Sequence, residues 1–420
     1  MQVTIKSLNH QGFGEAILED GQKVTVPYTL TGETVDVEMG QKNKHGYKAN
    51  LKEVISPSPQ RSPAPCQHFT QCGGCALQHL NAESYSAFKR TQVQNALAQH
   101  NIETEVLSPI VLPAQTRRRA KFMAHKNKNK VEMGFRAAQS HQLVAIRECH
   151  VIHPQIMDTL KPLTNILHRL MRNKQSAEIY ASYTSETLDI LIDLGKSADL
   201  KLGYEDRETI ASTAKQAGIA RLRVKDKNFT DLMYMATQPV VTFNNTVVET
   251  SCETFLQASE GADVKLQEVM LSHLKETKLN KVCDLFCGRG TLSFAFDDGI
   301  QVDGYEADKP ALTALNSAAQ KHKKSVKGIY QNLYQTPLIA KQLNQYDCIV
   351  LDPPRDGAKK QIDEIAQSQV QTVVYVSCNP KSFAQDAKVL MSHGYQISVV
   401  QPIDQFLWSS HVEVVASFHK

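Results

Sequence analysis

Four segments in the last third of the chain carry residue types that could act on a bound molecule. DLFCGRGT, Asp284 to Thr291, runs a hydrophobic stretch into a Gly-x-Gly turn. Glycines there let the backbone approach a ligand, and a helix is predicted behind them. The next strand-like run, VDGYEAD, carries Glu306 near its end, about twenty residues on, where an acid can accept hydrogen bonds from two ribose hydroxyls. LDPPRDG, Leu351 to Gly357, ends another strand at the same expected crevice. An aromatic after Asp-Pro-Pro would suggest methylation of a base amino group, but Arg355 stands there. VYVSCNP puts Cys378 on the loop after its strand. Free cysteines usually pack as core thiols, but a strand-end loop favours a nucleophile. In HVEVV, His411 and Glu413 are two apart and share one strand face. Glu413 is a candidate general base if buried, and an ordinary edge acid if not.

The turn reads GRG, not GxGxxG, and offers no pyrophosphate cradle. S-adenosylmethionine, with a ribose and no phosphate, fits such a turn better than a dinucleotide.

A second group lies upstream. Cys66-x5-Cys72-x2-Cys75 and the distant Cys149 give four thiolates, and Gly73 and Gly74 let the chain wrap around them. Four cysteines suit zinc or an iron–sulfur cluster. The C-x5-C-x2-C spacing is not a usual zinc-finger pattern and favours [4Fe–4S]. It also departs from the C-x3-C-x2-C of radical S-adenosylmethionine enzymes.

The elements that must position these groups read as three units: 1–58, 59–250 and 251–420. Residues 1 to about 56 hold five short β-branched runs broken by glycines, which suits a small closed barrel. SPSPQRSPAP, residues 56–65, carries four prolines and reads as an extended linker separating two cores. A helix is predicted over 80–101, and a mixed α+β pattern follows to Met235. From about residue 259, strands and helices alternate, which means a parallel sheet. YQISVVQPI and HVEVVASF add an antiparallel pair.

The 420 residues carry 47 Lys and Arg against 43 Asp and Glu. The first 150 hold 18 basic and 12 acidic residues, and the remainder 29 and 31. A basic front half points to a polyanion partner. TRRRAKFMAHKNKNK, residues 116–130, has seven Lys or Arg and no acid, and is expected to contact phosphates, with a solvated loop as the bland alternative. No stretch approaches the length of a transmembrane helix, and the first residues lack a signal-peptide core. A cytoplasmic location is the expectation.

Together these motifs, with FLQAS at 255–259, resemble the RNA uracil-5-methyltransferase family over almost the whole chain. The resemblance implies a Rossmann-like S-adenosylmethionine methyltransferase domain, an N-terminal TRAM (OB-like) barrel and an iron–sulfur domain. It implies Cys378 as nucleophile and Glu413 as base. Gln257, Phe286, Thr291, Glu306, Asn332 and Asp352 would line the cofactor site, and Cys66, Cys72, Cys75 and Cys149 would hold [4Fe–4S]. RRRAKF and EMGFRAAQSHQLVAIREC look most like the branch acting on 23S ribosomal RNA, so the implied partner is RNA and the implied state a monomer. Two departures fall near the site: Gln385 stands where Arg is frequent, and LWSS (407–410) where Pro-x-Thr is common. The tRNA uracil-5 activity and a non-catalytic cluster-bearing RNA-binding protein are the rival readings.

Overall fold

The valine-rich runs at the front close on themselves. In Lys23–Val26 the two valines are buried and Lys23 is exposed, the period of a strand with one face inward. Gln2–Thr4 pairs antiparallel with Thr34–Asn43, and Ser7–Leu8 pairs antiparallel with Gly14–Ile17. One short segment therefore joins both margins of the six-stranded sheet and makes it a barrel. The computed structural model describes residues 1–44, 46–138, 140–196, 198 and 200–420.

The proline stretch is not a free tether. Arg61 grips the buried Glu33 with two hydrogen bonds of 2.5 and 2.8 Å and donates to the Tyr28 carbonyl at 2.9 Å. Burial alone would raise the Glu33 carboxyl; Arg61 and two backbone N–H groups outweigh it and hold it low. Leu30 of the barrel packs against Leu77, Leu80 and Tyr85. The expectation of two cores separated by a linker is thus corrected: an apolar contact and a buried ion pair join them.

The second unit is a seven-stranded, mainly antiparallel sheet running from Leu143–Ala145 at one edge to Thr230–Met235 at the other. Leu163, Ile166, Leu167 and Leu170 of the helix Leu160–Leu170 cover it at helical spacing. The Arg-rich run lies here, and the phosphate-strip reading is corrected for Arg118 and Arg119, which are tied inside the protein, while Lys121, Lys128 and Lys130 are exposed. Arg118 is 3% exposed, pairs with Asp263 at 2.7 Å and donates to the Gln257 carbonyl at 3.1 Å. Arg119 donates to the Leu256 carbonyl at 3.0 Å. Lys121 pairs with Glu178 at 2.8 Å, and Lys126 caps carbonyls of His168 and Met171. Arg118 and Arg119 weld the middle unit to the segment entering the third, while Lys121 and Lys126 bond within the middle unit.

The third unit is a nine-stranded sheet. Its parallel part runs Val326–Tyr330, Gln301–Glu306, Lys281–Leu285, Cys348–Leu351, Thr372–Ser377. Glu413–His419 follows antiparallel and pairs in turn with Gln401–Asp404, as the sequence predicts. Chain order reverses between Lys281–Leu285 and Cys348–Leu351, which opens a crevice at their C-terminal ends. The helix expected after the glycine turn is only the 3-10 turn Ser293–Ala295, because DDG at 297–299 ends it. Helix Ala82–Ala98 lies far upstream of the parallel strands, the first of which is Lys281–Leu285. Its Val93, Ala96 and Leu97 nonetheless pack in the core with Tyr375 and Phe383.

That helix is fixed by a buried charge. Lys89 is fully buried, bonds Asp404 at 2.9 Å and also reaches the His411 carbonyl, while the Tyr85 hydroxyl donates to the other Asp404 oxygen. Burial pushes the lysine ammonium down from its ordinary range, and Asp404 opposes this. Removing one partner of such a pair strands the other in low dielectric. Lys89→Met should cost about 3–5 kcal/mol in urea unfolding, and Lys89→Met with Asp404→Leu clearly less. Equal losses in both would show that the charge pair is not what holds the helix.

Candidate active site

All six expected cofactor residues and both expected catalytic residues open onto one cavity of about 470 Å3 at the crevice. Its glycine end is formed by backbone that few residues tolerate. Phe286 leaves the strand in the left-handed region at φ 63°, followed by Gly288 at 54° and Gly290 at 91°. The left-handed turn is pinned as Phe286 and Cys287 both donate to the Tyr305 carbonyl, at 2.9 and 3.2 Å. Glu306 accepts from the Gly288, Ala307 and Asp308 N–H groups at 3.1, 2.6 and 2.9 Å. The carboxylate is thereby locked with lone pairs facing the cavity, where a diol could donate to them. Phe286, Thr291 and Asn332 line the same end.

The far end holds an acid pair, the buried Glu413 and the half-buried Asp352. Ala258 donates its N–H to Gln405 Oε1 at 2.7 Å. The Gln405 amide nitrogen then donates to Gln257 Oε1 at 2.7 Å and to Glu413 Oε1 at 2.8 Å. Gln257 in turn donates to Asp352 at 3.0 Å. Each carboxylate receives a single amide donor. Glu413 is 3% exposed, and its Oε2 has no partner among the described residues. Burial pushes Glu413 up to about 7, against the pull of Gln405 and Arg355. Burial also lifts Asp352 well above the carboxylate range, with Glu413 repelling its charge. Such a pair retains a proton at neutral pH.

Cys378 sits half-buried where Thr372–Ser377 ends. Burial pushes its thiol up to about 12, the charges of Glu413 and Asp352 add to this, and Arg355 opposes it. The loop is rigid. Asn379 caps the following helix by accepting from Lys381 N–H at 3.1 Å and donates to the Arg355 carbonyl at 2.9 Å. Of the two departures from pattern, Gln385 faces solvent. The LWSS stretch docks, because the Trp408 carbonyl accepts from Ala76 and Leu77 at 2.8 and 3.0 Å. Sequence reasoning missed Gln405, Asp284 and Arg355 as site members. Asp284 lines the cavity with its carboxyl pushed up to about 7 by burial. The DLFCGRGT motif names Asp284, whereas nothing in the local sequence marks Gln405.

Cys66, Cys72, Cys75 and Cys149 line a separate cavity of about 300 Å3. Burial raises the thiols of Cys66, Cys72 and Cys75, the last to about 12, and the neighbouring sulfurs raise them further. Backbone N–H groups of Phe69 and Gly74 and the Gln78 side chain favour their thiolates. A side chain on Gly73 would come within 3.1 Å of backbone at Arg136 and Ala138, which fixes that loop. Among the described residues no three His, Cys, Asp or Glu side chains converge as a single-ion site.

A doubly wound sheet, a glycine turn with a ribose-ready acid, and a thiol beside a buried carboxylate define the S-adenosylmethionine-dependent methyltransferase class. The profile described as tRNA (Uracil-5-)-methyltransferase matches residues 87–420. That of the tRNA (uracil(54)-C(5))-methyltransferase TRAM domain matches residues 1–60. An uncharacterised RNA methyltransferase of Brucella suis is 37% identical over 422 residues, covering 100% of this chain and 98% of its own. A 23S rRNA (uracil(1939)-C(5))-methyltransferase, RlmD, of Shewanella denitrificans is 29% identical over 453 residues, covering 100% and 95%. The tRNA (uracil-54, C5)-methyltransferase of Pyrococcus abyssi was crystallised with S-adenosyl-L-homocysteine. It shares the fold with a TM-score of 0.79 at 21% identity, over 100% of this chain and 99% of its own. The chain belongs to the tRNA (uracil-5-)-methyltransferase family and is an S-adenosylmethionine-dependent RNA uracil-5-methyltransferase.

The raised carboxyls carry a stability signature. Folding favours their protonated forms, so that contribution is full below the ordinary pKa near 4.5 and is lost as pH rises through about 7. Glu413→Gln should remove much of this slope and gain roughly 1–3 kcal/mol at pH 8 relative to pH 5. Urea titrations of both proteins at the two pH values check it, and an unchanged slope would mean Glu413 is not raised.

Proposed function

We propose that the protein methylates C5 of one uridine in 23S ribosomal RNA through a covalent adduct of Cys378. The observation carrying this is the meeting of Cys378, Glu413 and the ribose-ready Glu306 in one cavity. The 23S assignment is supported by the full-length relative that acts on that RNA. The family profile's description favours tRNA as the second reading.

Uracil C5 is too weak a nucleophile to be methylated unaided. S-adenosylmethionine, when bound, supplies an electrophilic sulfonium methyl. Gln257, Phe286, Thr291, Glu306, Asn332 and Asp352 would hold it. The target base must leave any stack to enter. Cys378 gives its proton to the singly protonated acid pair, which passes one proton on to solvent before the methyl step so that Glu413 is again ionised. The sulfur bonds to C6, leaving an enolate with electron density on C5. Arg355 lies beside the thiol and favours its charged form. After C5 takes the methyl group, Glu413 Oε2 removes the C5 proton, the S–C6 bond breaks and the thiolate returns. One proton is released per methyl group transferred. Gln405 leaves that second oxygen free by binding the first.

Cys66, Cys72, Cys75 and Cys149 would hold a [4Fe–4S] cluster. Four thiols line one cavity with no single-ion site among the described residues, and donors at Phe69, Gly74 and Gln78 face the sulfurs of Cys66, Cys72 and Cys75, which fits such a centre. Since Ala76 and Leu77 bond the Trp408 carbonyl, the cysteine loop also braces the segment leading to Glu413.

With labelled cofactor, methyl transfer to 23S ribosomal RNA should exceed that to tRNA, and the reverse would move the assignment to the second reading. Cys378→Ala should abolish transfer at nearly unchanged cofactor affinity; equal turnover would sink the nucleophile. Glu413→Gln should stall as a methylated protein–RNA adduct on denaturing gels. Protein purified without air should hold about four irons per chain, and stoichiometric zinc without iron would overturn the cluster.

A further inference from the structure

A second cavity, of about 540 Å3, opens on the other side of Cys378 and Arg355, which line both. Its walls come from places far apart in sequence: barrel residues 8–11, helix Ala82–Ala98 with Gln99, Arg355, the stretch 378–381 and residues 410–412. The size suits a small organic group such as a nucleotide. No Asp or Glu is among the described residues lining it, while Arg355 and Lys381 stand at its catalytic end. An anionic strand meets no like charge there.

The helix wall is patterned. Phe88, Gln92, Asn95 and Gln99 recur at i, i+4, i+7 and i+11, one face of a helix, and all four line the cavity. An aromatic ring followed by amides is what splayed single-stranded bases use: a face to stack on and groups to bond their edges. The Gln92 amide nitrogen is buried with no acceptor among the described residues. A buried donor without a partner costs free energy until an acceptor arrives.

We propose that this cavity is a second base pocket, which receives the nucleotide adjacent to the target in the same RNA strand. It reads that base through Gln92 and Asn95, while Lys381 holds the intervening phosphate. Because Cys378 and Arg355 line both cavities, a strand whose target base reaches Cys378 can lay its neighbouring nucleotide in this one. The proposal rests on the RNA-methylation reading.

The probes are fluorescein-labelled decauridylate and a base-free abasic strand of equal length, measured by anisotropy with the full-length protein. The parent should bind decauridylate at least tenfold more tightly than the abasic strand. Gln92→Ala with Asn95→Ala keeps strong helix formers on a part-exposed face, so folding is preserved. It should cut that discrimination by about tenfold, as expected for two lost hydrogen bonds. Lys381→Gln should weaken both strands alike and reduce the salt dependence. Unchanged discrimination in the double variant would overturn the proposal. So would a parent that binds the two strands equally or binds neither. Methyl transfer by the parent to ribosomal RNA, run alongside, reports on the underlying reading alone.

Discussion

Two carboxylates, the buried Glu413 and the half-buried Asp352, face one cavity and are held there by two glutamine side chains. Everything else in the catalytic unit serves that arrangement. The Ala258 N–H fixes the orientation of Gln405, Gln405 fixes Gln257 and Glu413, and Gln257 fixes Asp352. Because each amide donor is already committed, Glu413 keeps one oxygen without a partner. Low dielectric raises both acids and the charge of Glu413 raises Asp352 further, which brings Glu413 to about 7, where it can exchange a proton near neutral pH. The same environment disfavours the Cys378 thiolate. A reacting thiol therefore depends on the adjacent acids as proton acceptors and on Arg355.

The three units act as one body around this pair. Arg118 and Arg119 bond the carbonyls of Gln257 and Leu256, so the middle sheet sets the backbone from which Gln257 projects. Lys89 and Tyr85 clamp Asp404, the residue before Gln405. Trp408 is held from the cysteine loop on one side and by the Tyr85 hydroxyl on the other. The segment that delivers Gln405 and Glu413 is thus gripped by the cysteine loop and by helix Ala82–Ala98.

Much of this was legible in the sequence. The β-branched runs with glycine breaks, the strand–helix alternation after residue 259 and the late antiparallel pair follow from local period and turn chemistry, and each has a counterpart in the fold. Motif spacing likewise brought Glu306, Asp352, Cys378 and Glu413 to one crevice, because strand ends of a doubly wound sheet converge. Other features were hidden because they are properties of tertiary neighbours. Arg117 to Arg119 look like a phosphate strip until Asp263, more than a hundred residues on, is seen to neutralise Arg118. Prolines at 57–65 look like a spacer, but Glu33 and Arg61 pair across it. Gln405 lies in an unremarkable stretch, and only its contacts distinguish it.

The central claim is that Glu413 and Asp352 together retain a proton at neutral pH. Infrared difference spectroscopy of the parent protein against Glu413→Gln, stepped from pH 5 to pH 9, observes that proton directly. The account predicts a protonated-carboxyl band that is absent from the variant and vanishes as pH passes through about 7. A Glu413 already ionised at pH 5, with no band lost through neutrality, would contradict it.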